Sequence, residues 1–435
     1  MRIKTLGALA VLTLCAVPAA LLTAVAVVRL SFRERPPVRP SGRTVLLTGG
    51  KMTKCLQLAR MFHSLGDRVV AVETPDYRYC GTRFSESVAA FHVIPKFSNG
   101  DSSAYGRALE SIIVEENVDL VVPVASPAAA LHDARIKPQL SRYAEVFHFD
   151  EDVIEALDDK FAFGEMCRSF GLSAPEAHRF ESTEDLLNFS FPEGKRYILK
   201  SIKYDPVFRL DLRKLPHPGY RERIAGLPIT PNHPWVLQEF VEGREVCTHS
   251  TIRDGQLMLY ICSDSSPFQV NYDMLDLPNV HAWVETFARK LGGTGQASFD
   301  FIIRDDGEVM PIECNPRTHS AITLFHDQPE AALAYWESDS RREKEWRPLS
   351  RTQPTFWWYH ELHRLWKAEG IEEVEFILNR ILSGKEAVFS WEDPLPFFFI
   401  NHVQIPMLLL RSLIEDRDWT HIDFNIGKIA EVGGD

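Results

Sequence analysis

Paired cysteines, a surplus of positive charge and the common glycine-rich nucleotide loops are all missing from this sequence. Its seven cysteines (Cys15, Cys55, Cys80, Cys167, Cys247, Cys262 and Cys314) are scattered and form no CxxC pair, so neither a zinc site nor a disulfide framework is indicated. The string HELH at His360–His363 is one residue short of HExxH, and its histidines cannot share a helix face at i, i+4 to hold zinc. Lys plus Arg number 48 against 60 Asp plus Glu, a formal charge of −12, which weighs against a general nucleic-acid binder. GGKMTK at Gly49–Lys54 is neither GxGxxG nor GxxxxGK[ST], which leaves an NAD-dependent dehydrogenase as a minor alternative. What remains is an ordinary globular composition, 45% hydrophobic and 25% charged over 435 residues, enough for about three structural units.

Residues Leu6–Val28 carry no charged side chain, and these 23 residues make a helix of about 34 Å at about 1.5 Å per residue, long enough to cross a bilayer. A cleaved signal peptide is the alternative, given the small residues at Ala19 and Ala20. Arg2 and Lys4 precede the segment, whereas Arg29, Arg33, Arg35, Arg39 and Arg43 follow it. The positive-inside rule therefore predicts a membrane anchor of one N-terminal helix with the following body in the cytoplasm, where free thiols persist. Residues 1–35 read as anchor and basic flank, and the Pro-rich stretch from Arg35 to Gly42 as a linker. After it, TVLLT at Thr44–Thr48 is a short apolar strand. A helix with apolar residues at Met52, Cys55, Leu58, Ala59, Phe62 and Leu65 follows. Further apolar strands at Arg68–Val72, Asp119–Val124 and Glu145–Phe149, with a helix near Ala104–Asn117, predict an α/β unit with a doubly wound parallel sheet over residues 42–150. Gly49-Gly50 is either an anion cradle at a helix N-terminus or a plain tight turn.

From Glu151 onward the pattern changes. SFDFIIRDDGEVMPIECNPR at Ser298–Arg317 holds two strands around a DG turn. With Asp306-Gly307 as a two-residue turn, Asp305 lies opposite Glu308, and counting back sets Asp300 opposite Glu313, with Asn315 on the same face. Like charges facing each other across a ladder need neutralising. Two carboxylates and an amide oxygen are hard ligands suited to Mg²⁺ that keeps water and nucleotide phosphate; a solvated hairpin with incidental acids is the alternative. YILK delivers Lys200 at a strand end, and Lys160 sits in LDDKFAF at a helix start. Each is either a solvated surface lysine or a point charge for phosphate. In WVLQEFVEGRE, Trp235–Glu245, a strand containing Gln238 runs into extended backbone near Glu239 and Val241 that suits an adenine edge, while Glu245 suits ribose hydroxyls.

The order of these elements, a lysine, a strand-end lysine, a hinge with glutamate seven residues after Gln238, then Asp300, Glu313 and Asn315, resembles the ATP-grasp superfamily. Further strings, namely GGKMTK, LDDKFAF, YILKSI, CTHST, FQVNY, ECNPRTHSAIT, DPLPF and DFNIGK, resemble the mycosporine-glycine synthase family of ATP-grasp ligases. The resemblance implies a Rossmann-like pre-ATP-grasp domain (42–150), a two-lobed ATP-grasp domain (151–330), a linker (331–350) and a C-terminal aromatic and apolar region (351–435). It implies ATP and Mg²⁺ as cofactors, with small-molecule partners. ATP would phosphorylate an enol oxygen of 4-deoxygadusol, a cyclohexenone, and glycine would displace phosphate to give mycosporine-glycine. Carried over by motif, Lys160 and Lys200 hold phosphates, and Gln238, Glu239, Val241 and Glu245 hold the nucleoside. Asp300, Glu313 and Asn315 hold the metal; Arg317, facing the acceptor, and Lys200, on the phosphates, are the catalytic residues. The segment after Lys200, SIKYDPVFR, departs from the glycine-rich phosphate loop of many ATP-grasp enzymes, and Lys203 and Arg209 would stand in for loop amides. The same ATP site would equally serve an amino-acid or dipeptide ligase, or a nucleotide-binding regulator that does not ligate. LPFFFINHVQIPMLLL at Leu395–Leu410, with two prolines and three polar residues, is a poor membrane span and reads as buried packing or as a membrane-docking surface.

Overall fold

The computed structural model describes residues 2–33, 38–97, 102–124, 127–202, 211–265, 271–336 and 345–431. It begins with a 30-residue helix, α1 (Arg2–Ser31). A five-stranded parallel sheet follows, built from β1 (Thr44–Leu47), β2 (Arg68–Glu73), β3 (Ala90–Val93), β4 (Leu120–Val122) and β5 (Glu145–Val146) in the order β3-β2-β1-β4-β5. Helices α2 (Thr53–Ser64), α3 (Ser103–Glu116) and α4 (Pro127–Leu140) make the crossovers. Val45, Leu46 and Leu47 are fully buried because helices cover both faces of a parallel sheet, so the central strand reads as a continuous apolar run. The turn after β1 is structural: Gly50 N–H donates to Val72 O at 3.1 Å and Lys51 N–H to a Glu73 carboxylate oxygen at 3.0 Å. Those amides are spent within the fold, which favours the tight turn over the anion cradle.

After α5 (Glu151–Asp158) and α6 (Lys160–Ser169), a small three-stranded antiparallel sheet is built from β6 (Ala177–Phe180), β7 (Tyr197–Ser201) and β8 (Trp235–Glu239), with the short helices α7 (Thr183–Leu187) and α8 (Tyr220–Ala225). Phe180, Tyr197, Leu199, Trp235 and Leu237 give this lobe a core of its own. The larger antiparallel sheet contains β9 (Arg244–Arg253) and β10 (Gln256–Asp264); after β11 (Asn271–Tyr272) and α9 (Pro278–Leu291) it is completed by β12 (Gly295–Ile303) and β13 (Val309–Asn315), in the order β10-β9-β12-β13.

Residues read as a linker, 331–350, include a 3₁₀ turn, Pro329–Tyr335, with Ala331–Trp336 buried in the main core, and Trp346 N–H donates to Met258 O on β10 at 2.8 Å. The C-terminal region adds β14 (Thr355–Phe356), α10 (Trp358–Lys367), α11 (Ile371–Ser383) and β15 (Lys385–Glu386). A helix over Leu395–Ile414 then comprises α12 (Leu395–Phe399), a π turn (Ile400–Gln404) and α13 (Ile405–Ile414), before the hairpin β16 (Trp419–Asp423) and β17 (Lys428–Glu431). Phe397, Ile400, Ile405 and Leu409 of that helix are buried in one core shared with β1, α2 and β10. His360 and His363 lie on α10, where His360 stands edge-on to Phe424. All seven cysteines are free.

Candidate active site between two antiparallel sheets

The β12–β13 hairpin places the acids. Arg304 N–H donates to Glu308 O at 3.0 Å and Gly307, at φ +86°, donates to Arg304 O at 2.9 Å, a three-residue loop whose left-handed position favours glycine. Pairing therefore begins one residue out of step from a two-residue turn, with Ile303 opposite Val309. A bulge past Phe301 and Pro311 absorbs the difference and sets Asp300 opposite Glu313 and Ser298 opposite Asn315. The Asn315 amide donates to Asp300 at 3.2 Å and to Glu313 at 3.4 Å, and Arg317 Nη2 donates to Asn315 Oδ1 at 2.6 Å.

Positive charge comes from two other elements. Lys160, the first residue of α6 after the Asp159 N-cap, sits with Nζ 3.5 Å from Glu313. Lys200 on β7 donates to Gln238 Oε1 at 3.2 Å, and Gln238 Nε2 donates to Ile312 O at 3.2 Å, joining the small lobe to the bulge. Burial lowers the Lys200 pKa against the pull of Glu313, and the Asp300 and Glu245 carboxylates act in the same sense as Glu313. Burial pushes the Asp300 carboxyl well up, and the neighbouring Glu313 reinforces it. For Glu313, burial opposes ionisation, but Lys160 and Lys200 overcome it and bring the pKa down to about 2. The two carboxyls are thus pushed in opposite directions, and a divalent cation between them would favour the ionised form of both.

The hinge between lobes spends Glu239 N–H on Glu176 O and Phe240 N–H on Arg196 O, each at 2.7 Å. Buried Val241 donates its amide to no other described residue. The Glu239 carboxylate lies 3.5 Å from Arg304 and accepts from Glu176 N–H at 3.2 Å. Glu245, exposed at the start of β9, accepts from the Ser265 hydroxyl at 2.7 Å. Lys203 and Arg209 lie outside the described residues.

Three further residues of the quoted motifs have shifted pKa values. Asp158, accessible at the end of α5, has its pKa raised by the desolvating groups around it, opposed by Arg317 and Lys160. Lys54, buried under β1's turn, donates to Thr318 O at 2.6 Å and is held well below its usual pKa by burial and by Arg317. His319 donates its backbone N–H to His249 Nδ1 at 3.3 Å, and burial lowers both imidazoles. The second guanidinium nitrogen of Arg317, Nη1, and His249 Nε2 have no hydrogen-bond partner among the described residues. Among the described residues no cluster of three or more His, Cys, Asp or Glu could hold a metal ion, so a cation here needs the Asn315 amide and non-protein oxygens as well.

No protein-family model matches the chain, and no curated protein matches it. Solved structures do. N5-carboxyaminoimidazole synthetase from Staphylococcus aureus with ADP superposes at a TM-score of 0.53 and 13% identity, over 73% of this chain and 82% of that one. The biotin carboxylase domain of 2-oxoglutarate carboxylase from Hydrogenobacter thermophilus, solved with MgADP and bicarbonate, gives 0.53 and 13% over 68% and 70%. Biotin carboxylase from Campylobacter jejuni gives 0.53 and 13% over 69% and 72%. The chain has the ATP-grasp fold. At this identity the likeness is one of fold.

Proposed function

We propose that the chain is an ATP-dependent carbon–nitrogen ligase, held at a membrane by α1 with its catalytic body on the cytoplasmic side. The observation that carries the reading is the convergence of Asp300 and Glu313 on one face with Lys160 and Lys200 against them. The oxygen donors fit Mg²⁺: Asp300 and Glu313 would hold the ion, joined by the Asn315 amide oxygen once that side chain, whose NH2 here faces both carboxylates, turns its oxygen inward. Bound Mg²⁺ neutralises triphosphate charge. Lys160 and Lys200 hold phosphate oxygens, the Val241 amide and Glu239 carbonyl bracket the adenine edge, and Glu245 accepts from ribose. Arg317 donates to Asn315 through Nη2 in this structure, a bond that the inward turn of that amide gives up, and its Nη1, unpartnered among the described residues, is directed to the oxygen of the acceptor, where charge develops.

The motif resemblance supports a finer reading, in which 4-deoxygadusol is phosphorylated on its enol oxygen and glycine displaces phosphate to give mycosporine-glycine, ADP and phosphate. Incubating the purified chain with ATP, Mg²⁺, candidate acceptors and amino acids, with mass spectrometry of products, tests both levels. Expected is amine-dependent ADP release, with glycine and the cyclohexenone as the preferred pair. ADP release only with a carboxylate acceptor would move the reading to an amino-acid ligase. ATP binding without turnover on any acceptor would move it to a nucleotide-binding regulator.

A further inference from the structure

α1 is apolar around its whole circumference, yet it buries only a narrow seam. Thr5, Leu12, Ala19 and Ala26, seven residues apart, are the buried positions, with Thr23 beside them. That spacing returns to the same side of a helix every two turns. Leu14, Val17, Leu21, Val25 and Val28 fall on the opposite side and are 56–76% exposed. A helix that is apolar all round is ordinarily buried in protein or in lipid.

The seam is fixed to the body from end to end. At the start of α1, Lys4 Nζ donates to the carbonyls of Trp419 and Thr420 at 3.1 and 2.7 Å, Trp419 Nε1 donates to Thr5 Oγ1 at 3.0 Å, and Arg2 pairs with Asp416 at 3.4 Å. Midway, His402 Nδ1 lies 3.1 Å from Leu12 O. At the far end Arg33 pairs with Glu392 at 2.9 Å and the Arg29 guanidinium covers the Trp391 ring at 5.2 Å. α1 therefore runs antiparallel to the whole Leu395–Ile414 helix. That helix cannot itself sit in hydrocarbon. At its middle the Gln404 side chain donates to Gly427 O at 2.6 Å and Lys51 O at 3.3 Å and accepts from Gly81 N–H at 3.1 Å, joining it to the β16–β17 turn and to two loops of the parallel-sheet unit. Loops held against it in this way would enter the bilayer core with the helix, and lipid-exposed irregular backbone is excluded from that region.

A helix clamped along such a partner cannot cross a bilayer while the body stays in water. We propose that α1 lies in the plane of the membrane interface. Its open face, continued by Met407, Leu410 and Ile414 of α13 (44%, 46% and 83% exposed), enters one leaflet, and both ends of the helix stay on the same side as the catalytic body. The occupant is a leaflet carrying anionic headgroups, because Lys4 and Arg29, which form no ion pair among the described residues, stand at the two ends of the apolar face; Arg2, Arg33 and Arg411 are already paired with carboxylates there. This rests on the membrane association proposed above, and its test reads topology without reading catalysis.

The full chain with an N-terminal epitope is floated with vesicles of phosphatidylcholine and phosphatidylserine, and is also examined in sealed native membrane vesicles with the cytoplasmic face outward. The uncleaved chain should float, and protease added outside should remove the epitope as fast as it digests the body. Leu14→Glu, Val17→Glu and Leu21→Glu together should cut the floated fraction by about tenfold or more, with the thermal transition retained because these side chains face away from the seam. An epitope protected until detergent is added would show a crossing helix and overturn the in-plane orientation. Failure of the intact chain to float, loss of the segment by cleavage, or flotation unchanged in the triple variant would overturn the membrane-binding face itself.

Discussion

Glu313 is the residue on which the site's charges converge, since both lysines lower its pKa and Asp300 faces it across the ladder. Glu313→Gln keeps the volume and removes the charge. Ligation should fall by about two orders of magnitude or more, while the melting temperature stays within a few degrees. Activity within twofold of the parent would dissociate the hairpin from catalysis. A second pair of buried groups sets a pH signature far from this site. Burial raises the Asp133 carboxyl to about 7, its Oδ2 being unpartnered among the described residues, whereas burial lowers His148 to about 4. Asp133 contributes stability that is present below its ordinary 3.8 and lost as pH rises through about 7. His148 contributes stability that is present above its ordinary 6.5 and lost as pH falls through about 4. Between about 4 and 6.5 the folded chain holds a proton on Asp133 and the unfolded chain holds one on His148, so the two slopes cancel. Asp133→Asn leaves His148 alone, and stability in urea should then rise with pH across that window by about 1.4 kcal/mol per unit relative to the parent. A variant as flat as the parent would show that the two groups do not titrate as this pair.

The β12–β13 hairpin shows how far element structure can be read from residues. Counting from a two-residue DG turn gives the observed Asp300–Glu313 pairing, but the route differs: the loop holds three residues, and the bulge at Ile312 restores the register. The period-two pattern specifies which residues want the same face, and that demand is what the bulge satisfies. The bulge itself has no residue-type signature. β3 went unread for a different reason. Ala90–Val93 is a half-exposed edge strand without an apolar run. The other parallel strands were legible because burial on both faces makes them continuously apolar. The bulge gives a test at this scale. Glu313→Ile should abolish ligation, and adding Ile312→Glu should not restore it, because Ile312 is the unpaired bulge residue and position 313 alone faces Asp300. Recovery of activity in the double variant, measured as amine-dependent ADP release, would mean that the strands pair without the bulge.

At the scale of the whole molecule the parallel-sheet unit, the large antiparallel sheet and the C-terminal region share one core, while the small lobe keeps its own and meets them through Gln238, Lys200 and the hinge at Glu239–Val241. The lysine-to-carboxylate order along the chain was legible because each ligand sits on a regular element. Lys54, by contrast, reaches Thr318 across 264 positions of sequence, a contact no local pattern encodes. The N-terminal helix is the other case: composition identifies an apolar helix, but its seam against α12 and α13 depends on residues nearly 400 positions away. This makes removal of residues 2–33 more than the loss of a tether. Leu12 and Ala19 belong to the main core, so the truncated chain should leave the membrane fraction and melt about 1–2 °C lower, as expected for about 1–2 kcal/mol in a chain of this size. Among the described residues no proposed nucleotide or metal residue is hydrogen-bonded or ion-paired with α1, so the affinity for an ATP analogue, read by calorimetry, should match that of the full chain within about twofold. A melting temperature unchanged by the truncation would show that α1 does not dock along the C-terminal helix, whereas an intact melting curve of the lowered kind with nucleotide binding lost would show that the seam and the ATP site are coupled through the shared core.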